Sequence, residues 1–272
     1  MRSPFAALSV ALLLAGTLSA GPARAAETLR VSGTGGAMRM MQHIAAGYAA
    51  ATGNRIEVIS GLGSRGAVRA VADGKLDLAV SARPLDPEEA ARGLTAIAFA
   101  RTALVFITSH PKPNSLNSGD LTGIFRSTNS KWADGSPIHL ILRTRFDGDS
   151  LILQEAFVGM TEALETARQR KELPIAATDQ DNAEMAERLP GSFVQAGLSQ
   201  IKTEKRNLRF VPIDGVEPTL ANLESGKYPY VKKFYLVFAA SKKAAANSVL
   251  DFVRSDKGRA VLRETENLPA TE

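Results

Sequence analysis

The chain has 272 residues, 44% of them hydrophobic, with 33 Lys+Arg against 28 Asp+Glu and a net charge of +5. This small excess is scattered and forms no basic stripe with interleaved aromatics, which argues against nucleic acid as a partner. Cysteine is absent, so disulfides, thiolate metal sites and a cysteine nucleophile are excluded, and an apolar core must hold the fold alone.

Residues 1–25 read as a signal peptide. Arg2 supplies a weak positive start, Phe5 to Gly16 a short apolar run, and Ala23-Arg24-Ala25 a small-x-small cleavage site. The apolar run is too short for a permanent membrane span. Loss of Arg2 and Arg24 lowers the net charge to +3. The mature chain is expected to begin near Ala26, in the periplasm.

From Leu29 onward strands alternate with helices, the pattern of an α/β protein with a mainly parallel sheet. Leu29 to Val31 predicts a strand, followed by a helix whose buried face carries Met41, Ile44, Ala45 and Tyr48 and which Gly53 ends. Ile56 to Ile59 is the next strand, Ala67 to Ala72 a short helix closed by Gly74, and Leu76 to Val80 a third strand. Ala103 to Thr108 predicts a central strand that breaks at His110-Pro111-Lys112-Pro113-Asn114. Leu121 to Phe125 predicts one helical turn, His139 to Arg143 a strand, Leu151 to Ala167 a helix, and Leu208 to Ile213 a strand. The basic run Lys202 to Arg206 reads as a solvated helix end or loop. A second break at Lys227-Tyr228-Pro229-Tyr230 precedes the apolar run Phe234 to Ala240. A closing helix from about Ala246 to Glu264 turns Val249, Phe252, Val253 and Ala260 inward. Two breaks beside apolar strands suggest a chain that leaves one domain and later returns. Residues 26–110 with 231–272 form the first domain in this reading, and residues 111–230 the second.

Two glycine-rich turns carry the chemistry: Ser32-Gly33-Thr34-Gly35-Gly36 and Gly61-Leu62-Gly63-Ser64-Arg65-Gly66. Each follows a strand and opens a helix, where glycine admits close backbone approach and unpaired N–H groups favour an anion. Either alone is an ordinary strand-to-helix turn. Together, behind a leader and without a catalytic set, they favour binding over catalysis. The serine of the second turn is one position off the G-x-S-x-G spacing of a nucleophile elbow, and His43, His110 and His139 lie on separate elements. Met38, Met40, Met41 and His43 could form a soft-metal set, although core-facing methionines explain the same pattern. Asp147-Gly148-Asp149 begins like a calcium loop but lacks its third acid and following glycine. No metal, no cofactor and no catalytic residue is expected.

The order and spacing of several segments resemble the phosphate-binding proteins of ABC importers, periplasmic substrate-binding proteins of the two-domain, hinge-closing kind. The resemblance runs from Leu29 to about Arg263. Its segments are Ser32 to Gly36, Gly63 to Gly66, Gly74-Lys75-Leu76-Asp77-Leu78-Ala79-Val80-Ser81-Ala82-Arg83-Pro84-Leu85, and Leu121 to Arg126 followed by Trp132. Pro190-Gly191-Ser192-Phe193 and Tyr228-Pro229 complete it.

The resemblance implies two α/β domains with mixed, mainly parallel sheets, joined by two hinge crossovers around a ligand cleft. It implies a small oxyanion as ligand and an inner-membrane ABC permease as partner, with a monomer as the working form. A sensor or accessory protein of the same fold, answering to a receptor or enzyme, is the alternative. By position the ligand donors fall on Thr34, Gly35, Gly36, Ser64, Arg65, Ser81 and Arg83 in the first domain. In the second, the family's oxyanion-gripping arginine falls on Arg143 and its Ser-Gly-Thr turn on Asp147, Gly148 and Asp149. Two hydroxyl donors are thus replaced by carboxylates, and the acid that some phosphate binders use falls on Ala82. A carboxylate repels a desolvated oxyanion unless a cation intervenes. Asp147 and Asp149 therefore orient Arg143, Arg145 or Arg65, or face solvent, or meet a ligand that brings its own donors.

Overall fold

The computed structural model describes residues 28–270, so the leader expected over residues 1–25 lies outside the described residues. β1 (Thr28–Gly33) ends in a glycine for a packing reason. A Cβ on Gly33 would lie 2.1 Å from the Val80 carbonyl oxygen, a contact that only glycine escapes. The neighbouring Thr34 N–H then donates to that same oxygen at 2.9 Å. α1 (Gly35–Thr52) follows, closed by Gly53 in the left-handed conformation, as expected. Its apolar face buries Met38, Met40, Met41, Ile44 and Tyr48 in the first core, while His43 stays partly exposed beside Glu264. The methionines are thus core packing rather than a soft-metal set.

β2 (Arg55–Ile59), α2 (Gly63–Ala72) and β3 (Leu78–Ser81) complete a parallel β2-β1-β3 unit. α3 (Pro87–Ala91) starts on a capping box in which Asp86 accepts from the Glu89 N–H. β4 (Leu94–Thr108) is far longer than the six apolar residues that announce it. Its first ten residues pair with a strand of the first half, and Leu104 to Ile107 pair with the second half. The side chains of Ala103 to Ile107 belong to the second core. The chain therefore passes between halves inside this strand, ahead of the His110–Asn114 break.

The second half contains α4 (Leu121–Arg126), β5 (His139–Leu140), β6 (Leu142–Arg143), α5 (Gly148–Ala156), α6 (Met160–Arg168), β7 (Ile175–Ala176) and α7 (Asp179–Arg188). β8 (Ser192–Gly197), α8 (Leu198–Thr203), β9 (Arg209–Val211) and α9 (Leu220–Glu224) follow. The single helix expected over Leu151 to Ala167 is two helices, because Phe157 turns extended (φ −125°, ψ 118°) and Gly159, at φ 78°, precedes the second. Phe106 stacks on Phe193 at 4.9 Å in a core that also holds Phe125, Trp132 and Tyr228. The Tyr228 hydroxyl donates to the Leu104 carbonyl, and burial pushes its phenol well above the usual range.

β10 (Val231–Ala239) returns the chain to the first half, then α10 (Lys243–Arg254), α11 (Asp256–Glu264) and β11 (Leu268–Pro269) end it. The closing helix is again two helices: the Ser255 hydroxyl accepts from the Gly258 N–H and starts a new one. That break turns Ala260 outward and buries Gly258 and Leu262. The main sheet has the order β2-β1-β3-β10-β4-β8-β5, with β10 seated between β3 and β4 and antiparallel to both. The fold is a mixed α/β sheet in two halves joined through β4, which pairs with strands of both, while β10 pairs within the first half.

Candidate functional site

The first turn of α1 faces the first turn of α7 across the two halves. Thr34 precedes α1 but does not cap it. Its Oγ1 donates instead to Asp179 Oδ2 at 2.8 Å, and the Gly36 N–H donates to the same oxygen at 2.7 Å. Gly35 packs its backbone against Gln180, whose Nε2 donates to the Gly35 carbonyl at 3.3 Å. The positive end of an 18-residue helix is thereby closed by a carboxylate from residues 145 positions away.

The other oxygen of Asp179 meets cations. Arg143, 3% exposed at the end of β6, places Nη2 at 3.1 Å from Asp179 Oδ1. Lys232 Nζ lies 4.0 Å from the same atom. Arg143 Nη2 also donates to Asp147 Oδ2 at 2.6 Å, and Nη1 to the Thr178 carbonyl at 2.8 Å. Asp147 caps α5, accepting from the Asp149 and Ser150 N–H groups. Asp149 is fully buried and pairs with Lys232 at 2.5 Å. Asp147 thus lies against Arg143 and keeps a small exposed fraction, while the fully buried Asp149 lies against Lys232. Arg145 is exposed and donates to Glu165 instead.

The remaining expected donors are engaged elsewhere. Ser64 Oγ accepts from the Ala82 N–H at 3.2 Å. Ser81 Oγ donates to the Arg83 carbonyl at 2.6 Å and accepts from the Arg83 N–H. The Arg83 guanidinium is held by both oxygens of Glu89, at 2.7 and 2.8 Å, and by the Pro84 carbonyl. Its motif is a loop brace. Arg65 lies 4.5 Å above the Phe146 ring of the opposite half, and the Gly148 backbone lies against Ala82. A groove of about 630 Å³ borders these contacts, lined by Arg65, Leu85, Phe146, Ile152, Lys233 and Tyr235 among others.

Five ionisable groups thus share one buried point, three carboxylates against two cations. Despite burial, Lys232 and Arg143 hold Asp179 far below the usual carboxylate range. Burial and the neighbouring Asp149 push Asp147 up to about 6. Protons released from Asp147 on unfolding set a sign for stability. The native state keeps a proton that the unfolded chain loses above about pH 4, so this contribution is complete below that pH and is lost as pH rises through 6. Denaturant midpoints between pH 5 and 7.5 should fall by the equivalent of about 1.4 kcal/mol, the rest of the contribution being lost between about pH 4 and 5. Asp147→Asn should flatten that limb. An unchanged slope in the variant would assign the titration to another group.

Two members of this cluster, Asp179 and Lys232, are absent from the residues that the sequence singles out. Asp179 stands in the first turn of α7, inside the Thr178 capping box, where an acid needs no further reason. Lys232 carried a readable signal: strand alternation places it on the face of Phe234, Leu236 and Phe238.

Residues 18–257 match the PBP superfamily domain. The chain belongs to the PBP superfamily. Over 197 residues it is 25% identical to the phosphate-binding protein PstS of Borreliella burgdorferi, covering 69% of this chain and 70% of that protein. Its fold matches a candidate phosphate ABC transporter substrate-binding protein from Clostridium perfringens, solved with bound phosphate, at a TM-score of 0.75 and 19% identity. That match covers 90% of this chain and all of the other. A phosphate transport receptor of the ABC type from Vibrio cholerae matches at a TM-score of 0.61 and 15% identity, covering 88% and 99%. The architecture is thus a phosphate-binding-protein-like periplasmic binding fold.

Proposed function

We propose that the chain is a periplasmic solute-binding protein that captures a small oxyanion between its halves and delivers it to an inner-membrane ABC permease. The observation that carries this reading is the convergence of donors. The Thr34 hydroxyl and the Gly36 N–H from one half, and the Arg143 guanidinium from the other, all point at a single carboxylate. Such a set, at a helix N-terminus with a buried arginine, is what a desolvated oxyanion requires. The relatives named for phosphate support the class of ligand, and β4, which pairs with strands of both halves, supports closure by bending there. The groove beside the cluster favours a second reading, in which the oxyanion heads a larger organic molecule. Arg65 over Phe146, with Lys233 and the apolar wall of Leu85 and Ile152, would hold its remainder.

A thermal-shift series tests both readings: phosphate, arsenate, sulfate, molybdate, phosphonates and organic acids at millimolar concentration. Binding to the native state raises the melting temperature with log concentration. Thr34→Val should abolish the shift of the active anion. A shift that survives both Thr34→Val and Arg143→Lys would place the ligand elsewhere and sink the reading.

A further inference from the structure

From its contacts, we infer that Asp179 is an occupant of the anion receptor supplied by the chain itself, a competitor that an external oxyanion must displace before it binds. The inference rests on the reading of Thr34, Gly36 and Arg143 as that receptor. Each oxygen of the Asp179 carboxylate is held as one oxygen of a bound anion would be. Oδ2 accepts from a hydroxyl and a backbone N–H of the first half, at 2.8 and 2.7 Å. Oδ1 faces Arg143 of the second half and Lys232 of β10. The residue is 6% exposed, and the Thr34 hydroxyl and the Gly36 N–H are both given to it.

An ordinary helix-start acid behaves differently. Capping of α7 is already done by Thr178, whose hydroxyl accepts from the Asp181 N–H while Asp181 reaches back to Thr178. Asp179 is not needed for that box and reaches across to the other half instead. Charge gives the same answer. Asp147 and Asp149 are already beside Arg143 and Lys232, so an added phosphate would be a fourth acidic group on two cations. Departure of Asp179 restores the balance, because the incoming anion takes over its four partners. The tether makes Asp179 an intramolecular competitor, and the apparent affinity for an external anion falls by the fraction of time the receptor is free.

Asp179→Ala tests this with inorganic phosphate and with acetate, the small-molecule equivalent of the removed group. The variant should lose melting temperature and regain it on addition of either anion. Its phosphate dissociation constant should be about 10- to 100-fold lower than that of the parent. Adding Thr34→Val should cancel the gain. Where Asp179→Ala does not fold, Asp179→Asn keeps the side-chain size and carries the same comparison. A parent that binds phosphate as tightly as the variant overturns the inference and leaves the receptor reading standing. If neither protein responds to either anion, the donor set is no receptor, and the reading falls together with the inference.

Discussion

Arg143→Ala is expected to destabilise the protein by about 3–5 kcal/mol and to reduce phosphate affinity on the order of 100-fold. The guanidinium is buried and is the contact common to Asp147, Asp179 and the Thr178 carbonyl. Without it two buried carboxylates keep only their neutral partners and a distant lysine, and breaking a buried pair costs more than the pair contributes. Arg143→Lys should recover part of the stability and less of the affinity, because an ammonium cannot serve three oxygens from a fixed plane. Urea unfolding separates the two effects from calorimetry. A loss below about 1 kcal/mol would be the size of a surface pair and would mean that the cluster relaxes into water when its arginine goes.

Lys232→Met should cost a similar amount, about 3 kcal/mol or more, through a different partner. Its ammonium is the nearest cation to Asp149, and both side chains are 1% exposed. Methionine keeps the stem that packs on Gly197 while deleting the charge. Combined with Asp149→Leu, the loss should shrink to a fraction of the single change, since two apolar side chains of similar volume can replace a buried pair at little cost. The coupling between the two changes should exceed about 1 kcal/mol in a double-mutant cycle. Additive losses would show that Lys232 acts chiefly on Asp179, its second carboxylate at 4.0 Å.

Much of the first half is legible because its signals are local. Strand, glycine turn and helix follow one another between Thr28 and Thr52, and Met41, Ile44 and Tyr48 keep the helical period that buries them. Arg143 is legible too, since it ends a strand ahead of a turn. What escapes is whatever depends on a second segment. Apolar periodicity continues through Phe157 to Gly159 and through Ser255, so a broken helix looks whole, and only the pairing of the pieces reveals that Ala260 faces out. β4 hides its first nine residues because they are only partly buried and Arg101-Thr102 separates their small apolar run from the one that follows. Arg83 resembles a ligand donor until Glu89, six residues on, is seen to hold it. The roles of Asp147 and Asp149 are set by Arg143 and Lys232 together, and no spacing along the chain joins residues 149 and 232.

The seat of β10 between β3 and β4 decides when the molecule can be completed. Both neighbours are synthesised early, while the strand that joins them starts only at Val231. Until it arrives, β3 and the Leu94–Ala103 stretch each present an unpaired edge, and contacts this distant along the chain form slowly. Lys232 travels on that same strand. Zipping of the sheet and the pairing of Asp149 with its cation therefore come with the same late strand, and a nascent chain that stops short of it holds neither a finished sheet nor a balanced interior.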